Sequence, residues 1–395
     1  MGSGRRKSFW ERRWGDKFDV IDMSPRILKR LALPGVFLVI CGFFALREPA
    51  FLGARNLTQL VVEFAIVGTL ALGMLMILLT GQIDLSAGSG VGLVGGIAAV
   101  LVFEQGWPAP LAMLGALGVA MLLWWLMGRM IVRGGMPSFI ITLGGLLIFK
   151  GLFWLVIQNS TIPVVRGDTE NLYSMLTTYY LPGAVGLGLG AVIAGVVAWV
   201  QWRGRVVRRR YGLPVMSEVR ALGQTIIMAG AVLGVVVILN RFRGVPLSLL
   251  ILSATGGVIY FLTEHTPFGR ALYAIGGNEE AAIISGLAVE RVVIGAYALM
   301  GVTVTLTGLM TTAYSGASTT TVGDLMELDA IAACVSGGTA LKGGRGTVMG
   351  VLLGALIMTA LLNGMTLLAV APEMKFIARG VVLAVAVWMD ARWGR

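Results

Sequence analysis

The stretch LTQLVVEFAIVGTLALGMLMILLTGQIDLSAGSGVGLVGGIAAVLVF, Leu57 to Phe103, holds two acidic side chains, Glu63 and Asp84, and no lysine, arginine or histidine. Its apolar residues come in two continuous runs, 57–79 and 87–103, separated by the polar break TGQIDLS. A half-buried strand would alternate apolar and polar residues, and a membrane β-barrel would repeat that alternation in segments of about ten residues. Neither pattern is present. Runs of this length without alternation are read as helices that cross a bilayer, because a helix satisfies its own backbone hydrogen bonds where there is no water.

The same pattern fills the chain. Of 395 residues, 57% are hydrophobic and 13% charged, and the mean hydropathy is +0.86, far from the balance of a soluble domain. Further apolar runs lie at 31–46, 109–127, 137–157, 181–200, 221–239, 245–262, 291–313, 328–341, 347–369 and 376–389. Several fall short of the roughly 20 residues a full span needs, so the expected fold is all-α, a polytopic transmembrane helical bundle of about 10–12 spans. The 56 glycines, in runs such as GSGVGLVGG and GLGLG, suit close helix approach. Cys41 and Cys334 lie in apolar runs without a CxxC or a neighbouring histidine and are read as buried, inert thiols.

The net charge of +11 does not point to nucleic acid, because the basic residues cluster at the ends of apolar runs. With the N-terminus in the cytoplasm, most of the 31 lysines and arginines fall on the cytoplasmic side, including the RGRVVRRR cluster. That asymmetry places both termini inside. Residues 1–30 are expected to form a basic cytoplasmic tail rather than a signal peptide, 31–390 the transmembrane domain, and 391–395 a second cytoplasmic tail.

No GxxxxGK[ST], GxSxG or HExxH occurs, and the single histidine, His265, sits at the end of a run. The chain is expected to be non-catalytic, with no metal and no cofactor. Charges inside apolar runs are costly and mark sites worth weighing: Glu63, Asp84, Lys150, Glu327, Asp329 and Arg379. An ion-coupled carrier would use such acids as a relay. Capping of helix starts is the plainer reading of Asp84, Glu327 and Asp329, since a carboxylate there meets unpaired backbone amides, and for Asp84 and Asp329 it stands ahead of direct substrate contact. Lys150 is expected to snorkel or to pair with an acid.

One short segment stands apart. In GGNEEAAIISG, Gly276 to Gly286, Asn278 suits an N-cap, Glu279 and Glu280 suit the positive helix end, and Gly286 suits a stop. A helix of about seven residues is too short to persist alone in water, so something must pack against it. The topology puts it in the cytoplasm, within 263–290. It is either a helix seated in a partner's groove or one lying on the bilayer, and two glutamates beside an anionic leaflet weigh against the second.

Four passages, TGQIDLSAGSGVGLVGG (80–96), PSFIITLGGLLIFKG (137–151), TPFGRALYAIGGNEEAAIISGLAVERV (266–292) and ELDAIAACVSGGTALKGGRGTV (327–348), together resemble the membrane permease subunit of ATP-binding-cassette importers of the ribose, galactose, arabinose and xylose group. An extra helical pair over 181–240, around WVQWRGRVVRRRYGL and closed by ILNRFRGVP, resembles the xylose members in particular. GQIDLS and KGGRG depart slightly from the usual GIDLS and less charged glycine loop. The resemblance implies a homodimer in the bacterial inner membrane that takes a sugar from an extracytoplasmic binding protein and is driven by a separate ATPase subunit. Under it the short helix becomes the coupling element, with Gly277, Asn278, Glu279, Glu280, Ala281, Ala282, Ser285 and Gly286 as ATPase-contacting residues. Asp84, Ser86, Ser89, Asp329 and Asn363 become candidates for the substrate pathway. Two alternatives remain: an ion-coupled secondary transporter relaying through Glu63, Asp84 or Asp329, and a permease of the same architecture for another sugar or a branched-chain amino acid.

Overall fold

The computed structural model describes residues 25–165, 170–213, 215 and 217–393. Most of the tail expected over 1–30 lies outside them, and residues 391–393 belong to the last helix. Among the described residues there are 15 helices and only two-residue strands. In chain order the first helices are α1 (Pro25–Arg47), α2 (Ala54–Leu79), α3 (Ala87–Phe103), α4 (Ala109–Gly134), α5 (Ser138–Val156), α6 (Leu172–Thr178), α7 (Gly183–Arg210) and α8 (Glu218–Asn240). There follow α9 (Leu247–His265), α10 (Pro267–Gly277), α11 (Glu279–Ile284), α12 (Val289–Ser315), α13 (Met326–Ser336), α14 (Val348–Leu367) and α15 (Pro372–Trp393).

Each apolar run of the sequence became a helix, and the fold is the expected all-α bundle. Eight helices are long and apolar enough to cross a membrane: α2, α4, α5, α7, α8, α9, α12 and α14. The boundaries follow local chemistry. Pro108 and Pro137 precede α4 and α5, where a missing amide hydrogen is harmless, and Gly135 ends α4 at φ 59°, a left-handed conformation that suits glycine.

The run at 328–341 differs from a simple span. Its helix, α13, has 11 residues and is about 16 Å long at 1.5 Å per residue, half of a bilayer core. Gly338, at φ 88°, turns the chain after it. The chain before it, 316–325, and after it, 337–347, is turn and loop apart from the two-residue strand Ala317–Ser318. Irregular backbone inside a membrane bundle is tolerated only when buried in protein. Val322 and Gly323 accordingly lie against α3, where a Cβ added to Gly88 would meet the Gly323 carbonyl at 2.5 Å and one added to Gly92 would meet that of Val322 at 2.5 Å.

The centre of the bundle is α2, whose apolar stretch is 78% buried, with α12 and α14 packed against it. Backbone meets backbone at small residues: a Cβ on Gly354 of α14 would lie 2.0 Å from the Ala333 carbonyl of α13, and one on Gly308 of α12 would lie 2.6 Å from the Val91 carbonyl of α3. Only glycine allows these approaches. The pair α7 and α8 packs mainly on itself, with 17% and 11% of its apolar stretches buried, and sits at the periphery. Cys334 is fully buried, its thiol 3.2 Å from the Ala71 carbonyl, whereas Cys41 is only half-buried, a correction to its reading as a buried thiol.

Candidate functional site

The segment GGNEEAAIISG folds as a capped helix. Asn278 ends α10 and starts α11, its side-chain oxygen accepting from the Ala281 amide at 2.9 Å. Glu279 and Glu280 occupy the first turn, and Gly286 follows at φ 81°. The helix is six residues long and ends at Ile284, with Ser285 at its C-cap. Its faces are unlike. Ala282 is only 4% exposed and packs into the main core, whereas Ile283 is 58% and Ile284 87% exposed, beside exposed Gly277, Glu279, Glu280, Ala281 and Ser285. The outward face therefore carries two large apolar side chains flanked by acids.

Beneath this helix three backbone segments meet. A Cβ on Gly276 would lie 1.9 Å from the Leu79 carbonyl, 2.4 Å from the Gly344 amide and 2.9 Å from the Gly343 Cα. The Leu79 carbonyl itself accepts from the Gly344 amide at 3.0 Å. The inner end of α2, the end of α10 and the KGGRG loop between α13 and α14 are thus joined within one residue of Gly277. Tyr273 of α10 adds a second tie, its hydroxyl donating to the Gly346 carbonyl at 2.9 Å. Burial, with Glu264 beside it, pushes that phenol up to about 12, so it remains a donor at physiological pH. Asp390 of α15 accepts from the Leu341 amide and lies 3.6 Å from Arg345, bringing the last helix to the same loop.

The polar break before α3 is enclosed. Asp84 accepts from the Ser86 amide at 2.8 Å and hydroxyl at 2.6 Å, and its other oxygen accepts from the Trp124 indole at 2.7 Å. Ser138 and Thr142 of α5 hold the Ile83 backbone on both sides. Asp84 and Ser86 are fully buried and Ser89 half-buried. Asp329, in the first turn of α13, is buried against Arg379 of α15, Oδ1 to Nε 3.0 Å. Lys150 pairs with Asp324 and donates to the Thr320 carbonyl at 2.8 Å, which pins the descending 316–325 segment to α5. The structure therefore gives Asp84, Ser86 and Asp329 partners within the chain and does not bring them to one open site.

Asn363 sits elsewhere, near the start of α2 and the C-terminal ends of α12 and α14. Its amide donates to Glu63 at 3.1 Å and its carbonyl accepts from Asn56 at 2.9 Å, while Tyr314 donates to the other Glu63 oxygen at 3.0 Å. Asn56 and Tyr314 were not singled out from sequence. An asparagine or tyrosine near the end of an apolar run is common, and the contacts that distinguish these two span 307 and 251 residues of chain.

Comparison with known proteins gives these features a family. The family model described as the permease component of branched-chain amino acid transport systems matches residues 56–387. The xylose transport system permease protein of Escherichia coli (strain K12) is 40% identical over 379 residues, 92% of this chain and 93% of that protein. The corresponding Haemophilus influenzae protein is 37% identical over 359 residues, 89% of this chain and 93% of its own. The ribose import permease protein of Bacillus subtilis (strain 168) is 31% identical over 358 residues, 91% of each chain. No solved structure matches. With eight helices able to span a membrane and kinship over nine-tenths of its length, the chain is a multi-pass inner-membrane protein and belongs to the sugar-permease members of this ATP-binding-cassette transport family.

Proposed function

We propose that this protein is the membrane permease of an ATP-driven importer for a pentose, xylose first, delivered by an extracytoplasmic binding protein and driven by a separate ATPase seated on α11. Two copies would enclose a central pathway. The observation that carries the reading is the outward face of α11, whose exposed Ile283 and Ile284 need a cover. The junction directly beneath gives that cover a mechanical route to α2, α13 and α14. The identity to xylose permeases supports the substrate. ATP-driven uptake in proteoliposomes, with the cognate binding protein and a panel of labelled pentoses and hexoses, tests it. Xylose uptake that needs ATP and is indifferent to ion gradients is the expected result. Uptake of another solute alone would overturn the substrate, and gradient-driven uptake without ATP would overturn the class.

The seat of the ATPase has its own test, and the structure changes which residue to use. Ala282 faces the permease itself, so a bulky replacement there would first disturb its own packing. Ile284 faces out. Ile284→Asp should leave the fold intact and weaken ATPase association by roughly tenfold to a hundredfold, the effect of losing one buried isoleucine. Co-purification and titration in detergent measure it, and unchanged association would remove α11 from the interface.

A further inference from the structure

Glu63 is the acid of a four-residue network, with Asn56, Asn363 and Tyr314, that the coupling scheme leaves unused. It lies nine residues into α2, about 13 Å along the helix from its outer end. Among the described residues no lysine or arginine lies within ion-pair distance of it, and the charge that acts on it is that of Lys375 of α15, which itself donates to Thr366. Its two oxygens accept one hydrogen bond each, from Tyr314 at 3.0 Å and Asn363 at 3.1 Å. A carboxylate offers about four acceptor positions, so about two remain free.

A tie between helices does not account for this carboxylate. Asn56 and Asn363 already join α2 to α14 with a neutral hydrogen bond at 2.9 Å. A charged group in a span is also expensive against lipid, and such groups face a wet cavity or a partner. Glu63 is half-buried and Tyr314 is 41% exposed, so the site is open on one side. An occupant on that side would meet the carboxylate, with its remaining acceptor capacity, and the exposed tyrosine beside it. That combination accepts O–H groups and covers a C–H face, as a neutral polyol requires. Lys375 binds Thr366 at 3.0 Å, three residues beyond Asn363, and its charge disfavours a cationic occupant.

We propose that Glu63, with Tyr314 and Asn363, forms a low-affinity subsite for a hydroxyl-rich neutral solute near the outer end of the pathway. The proposal rests on the reading of the chain as a sugar permease. Few contacts on an open face suit a passage that must release what it binds.

The test is initial uptake by the whole transporter in proteoliposomes, comparing xylose with deoxy analogues that the binding protein still delivers. Glu63→Gln keeps the shape and removes the charge. It should slow xylose roughly tenfold, the effect of losing a charge-assisted hydrogen bond, and slow the analogue lacking the bonded hydroxyl less than about twofold. Equal slowing of every sugar, or none, overturns the subsite. If that variant assembles poorly, Tyr314→Phe at its exposed position serves instead, with a several-fold loss confined to the same sugars expected. A wild-type complex inert toward every sugar would overturn the sugar-permease reading together with this site. A wild type that imports xylose beside an equally active Glu63→Gln overturns the site alone.

Discussion

Gly276→Ala should cut ATP-driven uptake at least about tenfold and lower the thermal stability of the purified protein, while Gly277→Ala next to it should keep the thermal stability of the wild type. Both glycines are in or at the end of α10, and neither has a left-handed backbone, so alanine suits both conformations. Space alone separates them. At Gly276 the added methyl meets the Leu79 carbonyl, the Gly344 amide and the Gly343 Cα, all backbone atoms that no rotamer change can move. At Gly277 nothing lies within 4 Å. Relief requires the α10 end to move away from α2 and from the KGGRG loop, breaking the hydrogen bond from Gly344 to Leu79. Overpacking of this kind costs about 1–3 kcal/mol and the lost bond about 1 kcal/mol more. Because α11 begins two residues later, the displacement falls between the proposed ATPase seat and the spans. Thermal unfolding in detergent reads the packing and uptake reads the coupling. Equal behaviour of the two variants would refute the junction.

Arg379→Leu should destabilise the protein by about 3–5 kcal/mol, because it leaves the Asp329 carboxylate buried without its partner. The side chain of Asp329 is 4% exposed and that of Arg379 23%. The two atoms stand at ion-pair distance, but the N–H is not aimed at the oxygen, so the attraction is one of charges and not of an aligned hydrogen bond. The N-terminus of α13 offsets part of the loss by stabilising a carboxylate in its first turn. Arg379→Leu combined with Asp329→Asn should therefore be less destabilised than the sum of the single variants, by roughly 1–3 kcal/mol. Thermal unfolding of the four proteins closes the cycle. Additive effects would mean that the two residues do not act as a pair.

Much of the bundle was legible because helix formation in lipid is decided locally. The run at 87–103 became a helix with those boundaries, and the run at 57–79 gained three residues at its start. Asn278 caps α11 because a side chain and an amide three residues on need no distant partner. The half-helix at 326–336 was not legible. Apolar residues continue past Ser336, and only the path of 316–325 beside α3 shows that the crossing is shared between helix and irregular backbone.

The candidate site was legible in residue type and not in direction. Asp84 read first as a cap or loop-folding residue, with relay and pathway roles behind it. Trp124, 40 residues away, closes it. Ala282 was one of the eight residues of the short segment expected to meet the ATPase, yet it turns inward and Ile284, which was not among them, turns outward. Glu63 and Asn363 carried no sign of each other across 300 residues.

The sequence by itself determined the class, the long helices, the Asn278 cap and the family, since each depends on side chains within a few turns or on motifs read in order. The tertiary structure alone decided which buried charge met which partner, which face of α11 was left uncovered, and why Gly276 cannot be replaced. Those outcomes depend on backbones approaching within van der Waals contact from distant parts of the chain, a property that no local propensity encodes.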